Sequence, residues 1–359
     1  MTTRISRRGF MKTVAATAAA GAIPMTASAQ SKAVRPAPYM PKPKFIQSNG
    51  LRMAVYEQGE GIPIVFSHGF PELAFSWRNQ IKALSEAGYR CIAPDQRGYG
   101  LTGGPTDPKE YAIKYLCDDL AGLLDALDIE KAVFVGHDWG GAVVWNMPRL
   151  HPDRTLGVIG VNTPSQRPAD LPPVTSSEKS LIVMGPNYYV ATFQKPGQAE
   201  AVLEADVRKT FKMILTRGDI WNVDAFKKLP EDSPERQMDI LAMMKRDTFH
   251  GEAFLPDDVM DYFVETFEAT GFTGGLNWYR NLGGFGALPN PNWRVKVPCL
   301  YVGAEHDVIL RPSSADGMED FISDLEKYTV MDCGHWTQQE KPEELNKVIL
   351  SWLNRKIKA

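Results

Sequence analysis

The stretch "AVFVGHDWGGAVVW", residues 132 to 145, decides the architecture. "AVFVG" is a short apolar run of the kind that makes a buried strand, and "WGGAVVW" opens a helix. Between them, Gly136 and Gly140 flank Asp138 in a turn that must be sharp. Such a strand, turn and helix lift the apex side chain to the carboxyl end of a sheet, where it can act as a nucleophile. The apex is usually serine, and here it is aspartate. A lone aspartate before a helix can also be an N-cap, but glycines on both sides and a preceding strand favour the nucleophile.

Outward from this stretch, "PIVFSHG", "YRCIAPD" and "LGVIGVNT" are further β-branched runs, separated by helix-period segments such as "SWRNQIKALSEAG". Strand alternating with helix predicts an α/β architecture, a mostly parallel, doubly wound sheet. "KFIQSNGLRMAVYEQG" precedes it and reads as a hairpin about Asn49-Gly50. After Thr163 the rhythm breaks into Pro-interrupted helical stretches with no strand-like run, then resumes at "KVPCLYVGAEHD" and "KYTVMDCGH". The expected division is a core over 45–163 and 292–359, split by an inserted all-helical cap over 164–291. The crevice between them is the expected ligand site. "GYGLTG" (98–103) matches a dinucleotide-binding glycine pattern, but "DQR" separates it from the strand and "GPTDP" follows where a helix should begin. It reads as a turn-rich loop.

The N-terminus sets compartment and charge. "SRRGFMK" leads into "TVAATAAAGAIP" and the small-residue site "ASA", so residues 1–29 read as an export signal. Arg7 and Arg8 with Phe10 and Lys12 resemble the twin-arginine type, which engages export machinery and predicts a periplasmic or secreted protein. The apolar run is too short for a stable membrane anchor. Residues 30–44, rich in proline, read as an extended tether. Cleavage after Ala29 removes Arg4, Arg7, Arg8 and Lys12 from a chain already at −3, which disfavours a nucleic-acid partner. Cys91, Cys117, Cys299 and Cys333 have no metal-like spacing and read as buried free thiols. No metal or cofactor is called for.

Two further positions complete the nucleophile. Asp307 and His335 each follow a later strand, giving the chain order nucleophile, acid, histidine. Among the other histidines, His137 adjoins the nucleophile and should point away from it. "SHGFP" (67–71) follows the first sheet strand, where the fold donates a backbone N–H to an oxyanion; that donor is Phe70, and Trp139 supplies the second. His68 reads as a structural loop histidine, and Glu72 as a solvated loop charge.

"HGFPE", "GHDWGG", "NYYVATFQKPG", "GFTGGLNWYRN" and "DCGHWTQQEKPEELN" together resemble the soluble epoxide hydrolases of the α/β-hydrolase superfamily. The resemblance implies the α/β-hydrolase fold, no cofactor, and two cap tyrosines that hydrogen-bond the epoxide oxygen. By motif these are Tyr189 and Tyr279, with Tyr188 as an adjacent alternative to the first. The implied partners are a small apolar epoxide and water.

The chemistry explains the aspartate. A serine attacking an epoxide carbon would form an ether, whereas an aspartate forms an ester that water can cleave at its carbonyl carbon. His335 is expected to stay neutral as the base for that water, oriented by Asp307. A haloalkane dehalogenase would share Asp138, the oxyanion hole, the histidine and Trp139, but would want N–H donors for halide rather than phenols. A fluoroacetate dehalogenase fits less well, since that family resembles "DRGG" where this chain has "DWGG". A binding protein that had lost turnover would lack one of these groups, and none is missing. Trp221, Phe226, Phe249, Phe254, Trp278 and Phe285 suggest an apolar pocket, although most read as cap core. Pro148 is expected to cost the elbow helix a hydrogen bond to Val144.

Overall fold

The computed structural model describes residues 34–174, 180–248, 251–282 and 293–358. The export signal, the start of the tether, Phe249 and Phe285 lie outside the described residues. The hairpin forms from β1 (Lys44–Ser48) and β2 (Leu51–Gln58), paired antiparallel. Asn49 at φ 45° and Gly50 at φ 80° supply the left-handed pair that a tight two-residue turn needs.

The body continues as β3 (Ile62–Ser67), α1 (Arg78–Glu86), β4 (Tyr89–Pro94), α2 (Ile113–Ala126), β5 (Ala132–His137), α3 (Trp139–Leu150) and β6 (Thr155–Val161). The cap follows with α4 (Tyr189–Thr192), α5 (Gln198–Leu203), α6 (Val207–Ile214), β7 (Thr216–Arg217), α7 (Val223–Lys228), α8 (Ile240–Met243), β8 (Glu252–Ala253), α9 (Asp257–Thr270) and α10 (Thr273–Tyr279). β9 (Cys299–Ala304), β10 (Leu325–Val330), α11 (Thr337–Glu340) and α12 (Pro342–Lys356) close the chain. The main sheet has the order β1-β2-β4-β3-β5-β6-β9-β10, parallel from β4 to β10. The expectation of no strand in the cap needs one correction. β7 and β8 pair as a two-residue ribbon, too short to leave a period-2 signature in the sequence.

Alternate residues of the central strands feed two cores. Ile64, Phe66, Val133 and Val135 face α1 and α12, whose Trp352 is fully buried, while Val65 and Phe134 join α2, α3 and the cap. Burial on both faces is why these strands read as continuous apolar runs. α3 passes through Pro148 and ends two residues later, so the lost hydrogen bond falls in its last turn and the elbow end is undisturbed. The loop at 98–103 folds back on itself through Gly98 N–H to Gly103 O, at 2.6 Å. All four cysteines are buried and unpaired. Among the described residues no helix is long and apolar enough to cross a membrane.

Candidate active site

Asp138 sits between β5 and α3 at φ 52° and ψ −123°, a backbone conformation unusual for any residue with a side chain. The turn closes only because a Cβ on Gly140 would collide with the Ser67 carbonyl, and one on Gly69 with the Asp138 side chain. Phe70 N–H donates to Asp138 Oδ1 at 2.8 Å, and Trp139 N–H also bonds this carboxylate. These are the two donors expected of the oxyanion hole. Burial pushes the Asp138 carboxyl up, opposed by the charges of His335 and His137 and by the two N–H groups.

His335 comes from the loop after β10. Its Nδ1 bonds Asp307 Oδ2 at 2.8 Å, and its Nε2 lies 3.8 Å from Asp138 Oδ2, close enough for one bridging atom. Asp307 Oδ1 accepts from the N–H groups of Ile309 and Leu310, and Oδ2 from Asn162 Nδ2, all within 2.9 Å. Burial works against its charge, yet the His335 charge and these bonds hold its carboxyl below the usual range. Burial lowers His335, but Asp307, Asp138 and Glu72 carry it up to about 9. The neutral base is the form expected for the hydrolytic step; in the free site this much negative charge favours the imidazolium.

Tyr279 ends α10 and Tyr189 begins α4, and both line an apolar cavity above Asp138 and His335. Their rings are 5.8 Å apart, and Tyr279 packs edge-on against Phe70 and Trp139. Burial and the Asp138 charge hold both hydroxyls protonated, well above the usual phenol range. Tyr188 is half-buried, does not line this cavity, and is hydrogen-bonded to Tyr189. Two anchors fix Tyr279 to the core: Trp278 Nε1 donates to Arg97 O at 2.9 Å, and Asn281 Nδ2 donates to Pro108 O. α4 is held within the cap, by Tyr189 N–H to Met238 O at 3.1 Å.

The alpha/beta hydrolase fold family matches residues 62–342. Epoxide hydrolase A of Mycobacterium tuberculosis is 37% identical over 330 residues, 87% of this chain and 97% of that protein. The chain belongs to the epoxide hydrolases. Bifunctional epoxide hydrolase 2 of Rattus norvegicus is 38% identical over 317 residues; the match takes 86% of this chain but spans about half, 54%, of the rat protein. The crystal structure of epoxide hydrolase A from Mycobacterium thermoresistibile superposes with a TM-score of 0.73 at 34% identity, covering 88% of this chain and 98% of that one.

Within this epoxide hydrolase site some residues differ from expectation. Glu72 is not a solvated loop charge but fully buried. It is held by His137 Nδ1 at 3.0 Å and by Gln338 Nε2 and Gln339 Nε2 at 2.9 Å. A buried carboxylate needs such partners, and they come from distant parts of the chain. His137 does point away from the cavity, but its Nε2 donates to the His335 carbonyl at 2.7 Å, so it holds the histidine from behind. Its adjacency to Asp138 was the available signal. His68 is structural: Gln96 N–H donates to its Nε2 at 3.0 Å, and burial lowers it to about 4. Trp221 lines the cavity, whereas Phe226 and Trp278 are buried outside its lining and Phe254 is half-buried.

Proposed function

We propose that this chain opens apolar epoxides to vicinal diols through a covalent ester on Asp138. The observation that carries the reading is a carboxylate at the elbow, between two backbone N–H donors and two protonated phenols across an apolar cavity. Asp138 Oδ2 attacks an epoxide carbon, the carbon–oxygen bond breaks, and Tyr189 or Tyr279 gives the departing oxygen a proton. Esterification removes the Asp138 charge, and with it part of what kept His335 protonated. The imidazolium proton then passes by way of solvent to the tyrosinate left by the first step, and His335, now neutral, takes a proton from water, which attacks the ester carbonyl carbon. The oxyanion forms at Oδ1, facing the N–H groups of Phe70 and Trp139. Collapse breaks the Cγ–Oδ2 bond as His335 returns the proton to Oδ2, the diol leaves, and the new Asp138 carboxyl gives its proton to His335, which restores the free site. The dehalogenase alternative wants a free indole N–H, but the Trp139 and Tyr279 side chains are hydrogen-bonded to each other.

A single turnover in 18O-labelled water should leave the label in Asp138. Label found only in the diol, with an unlabelled enzyme, would mean direct attack by water. Export through the twin-arginine route is part of the same proposal, supported by Arg7, Arg8 and the following apolar run.

A further inference from the structure

The cap also touches the His335 loop away from the tyrosines. Glu340, at the end of α11, has a side chain only 1% exposed. Its Oε2 accepts from Gly334 N–H at 3.1 Å and its Oε1 from Trp336 N–H at 3.0 Å, so one carboxylate brackets His335 on both sides. The cation facing it comes from the cap: Arg217, in β7, donates Nε to Glu340 Oε2 at 2.9 Å and Nη2 to Asp332 O at 3.0 Å. A few residues on, the Trp221 indole stacks on the His335 ring, 17° from parallel with centroids 5.2 Å apart. Trp221 Nε1 and Trp336 Nε1 both donate to Ile214 O, at 3.2 and 2.9 Å. These contacts lie within, or run between, the cap stretch 214–221 and the loop 332–340.

We propose that Arg217 and Glu340 are positioning residues for the hydrolytic half of the reaction, the cap reaching the base through them as it reaches the epoxide oxygen through the tyrosines. This rests on the two-step reading above. Neither residue lines the cavity at Asp138, so neither touches the epoxide during ester formation. A buried carboxylate deprived of its cation relaxes toward solvent, and the two N–H groups that fix His335 go with it. A small shift of Nε2 then misdirects the water, while the attack of Asp138 is untouched.

Rapid-quench single turnovers with styrene oxide, reading the ester by mass spectrometry, separate the two steps. Arg217→Met and Glu340→Gln should form ester at the native rate and hydrolyse it about ten- to a hundredfold more slowly, so that ester accumulates. Arg217→Lys, which keeps the ion pair but loses the fork to Asp332, should recover part of the loss. Lys341→Met removes only an exposed ion pair to Asp332 and should leave both rates unchanged. Native hydrolysis rates in Arg217→Met, or equal falls in both steps accompanied only by a lower Tm, would overturn the proposal. Arg217 is over a third exposed, so its replacement tests the idea even where Glu340→Gln fails to fold. Absence of any ester in the native enzyme would instead remove the two-step reading itself.

Discussion

His335 concentrates the electrostatics of the site in one side chain. Its pKa rises from the ordinary 6.5 to about 9, so the folded state binds this proton more tightly than the unfolded chain does. The stabilisation is fully present below pH 6.5 and is lost as pH rises through about 9. The difference in unfolding free energy between the native chain and His335→Gln should therefore be largest near pH 6. It should shrink by on the order of 3 kcal/mol by pH 9.5, read by urea titrations at both pH values. A difference independent of pH would mean that folding leaves the imidazole's affinity for its proton unchanged. At this scale the sequence exposed Asp138, Asp307 and His335, because each follows a strand and the strand ends share one edge. It hid Glu72, whose local setting "GFPEL" looks like any exposed loop; its partners His137, Gln338 and Gln339 lie 65, 266 and 267 residues away. Burial of a charge is decided by such distant groups, and no local pattern reports it.

The elements divide in the same way. β3, β5, β6 and β9 were legible because strands buried on both faces leave apolar runs, and the Asn49-Gly50 turn because few residue pairs adopt two left-handed conformations. The cap helices were legible only as a group: α4 and α8 have four residues each, shorter than any reliable helical period. α12 shows what an element contributes beyond its own pattern. It lies against the face of the sheet opposite the site, with Leu345, Ile349, Trp352 and Leu353 all fully buried. Trp352→Ala should cost about 3–5 kcal/mol in chemical denaturation while leaving the rate of ester formation in the folded fraction unchanged. A loss of ester formation at native stability would tie α12 to the chemistry.

At the scale of the whole molecule, the described chain starts on the cap rather than trailing away as a tether. Arg35 Nη2 donates to the Asp258 carbonyl at 2.7 Å and Tyr39 OH to the Asp258 carboxylate at 2.6 Å, both on α9. Residues so fixed are part of the fold, and the export signal proposed above would act from ahead of them. Replacing Arg7 and Arg8 together by Lys should retain the protein in the cytoplasm as an active, uncleaved form, seen by fractionation and immunoblotting. Unchanged periplasmic delivery would rule out the twin-arginine route. The unequal mounting of the two tyrosines carries a consequence for specificity. Tyr279 is pinned to the core by Trp278 and Asn281, whereas Tyr189 is carried on a four-residue helix bonded within the cap. The end of the Tyr189 segment is in turn tied to Tyr279 itself, by Gln194 Nε2 to Tyr279 O at 2.8 Å and Arg280 Nε to Phe193 O at 3.2 Å, so the second phenol takes its place from the first. A substitution at Gln194 or Arg280 would therefore shift one phenol against the other, and with it the grip proposed above for an epoxide's substituents.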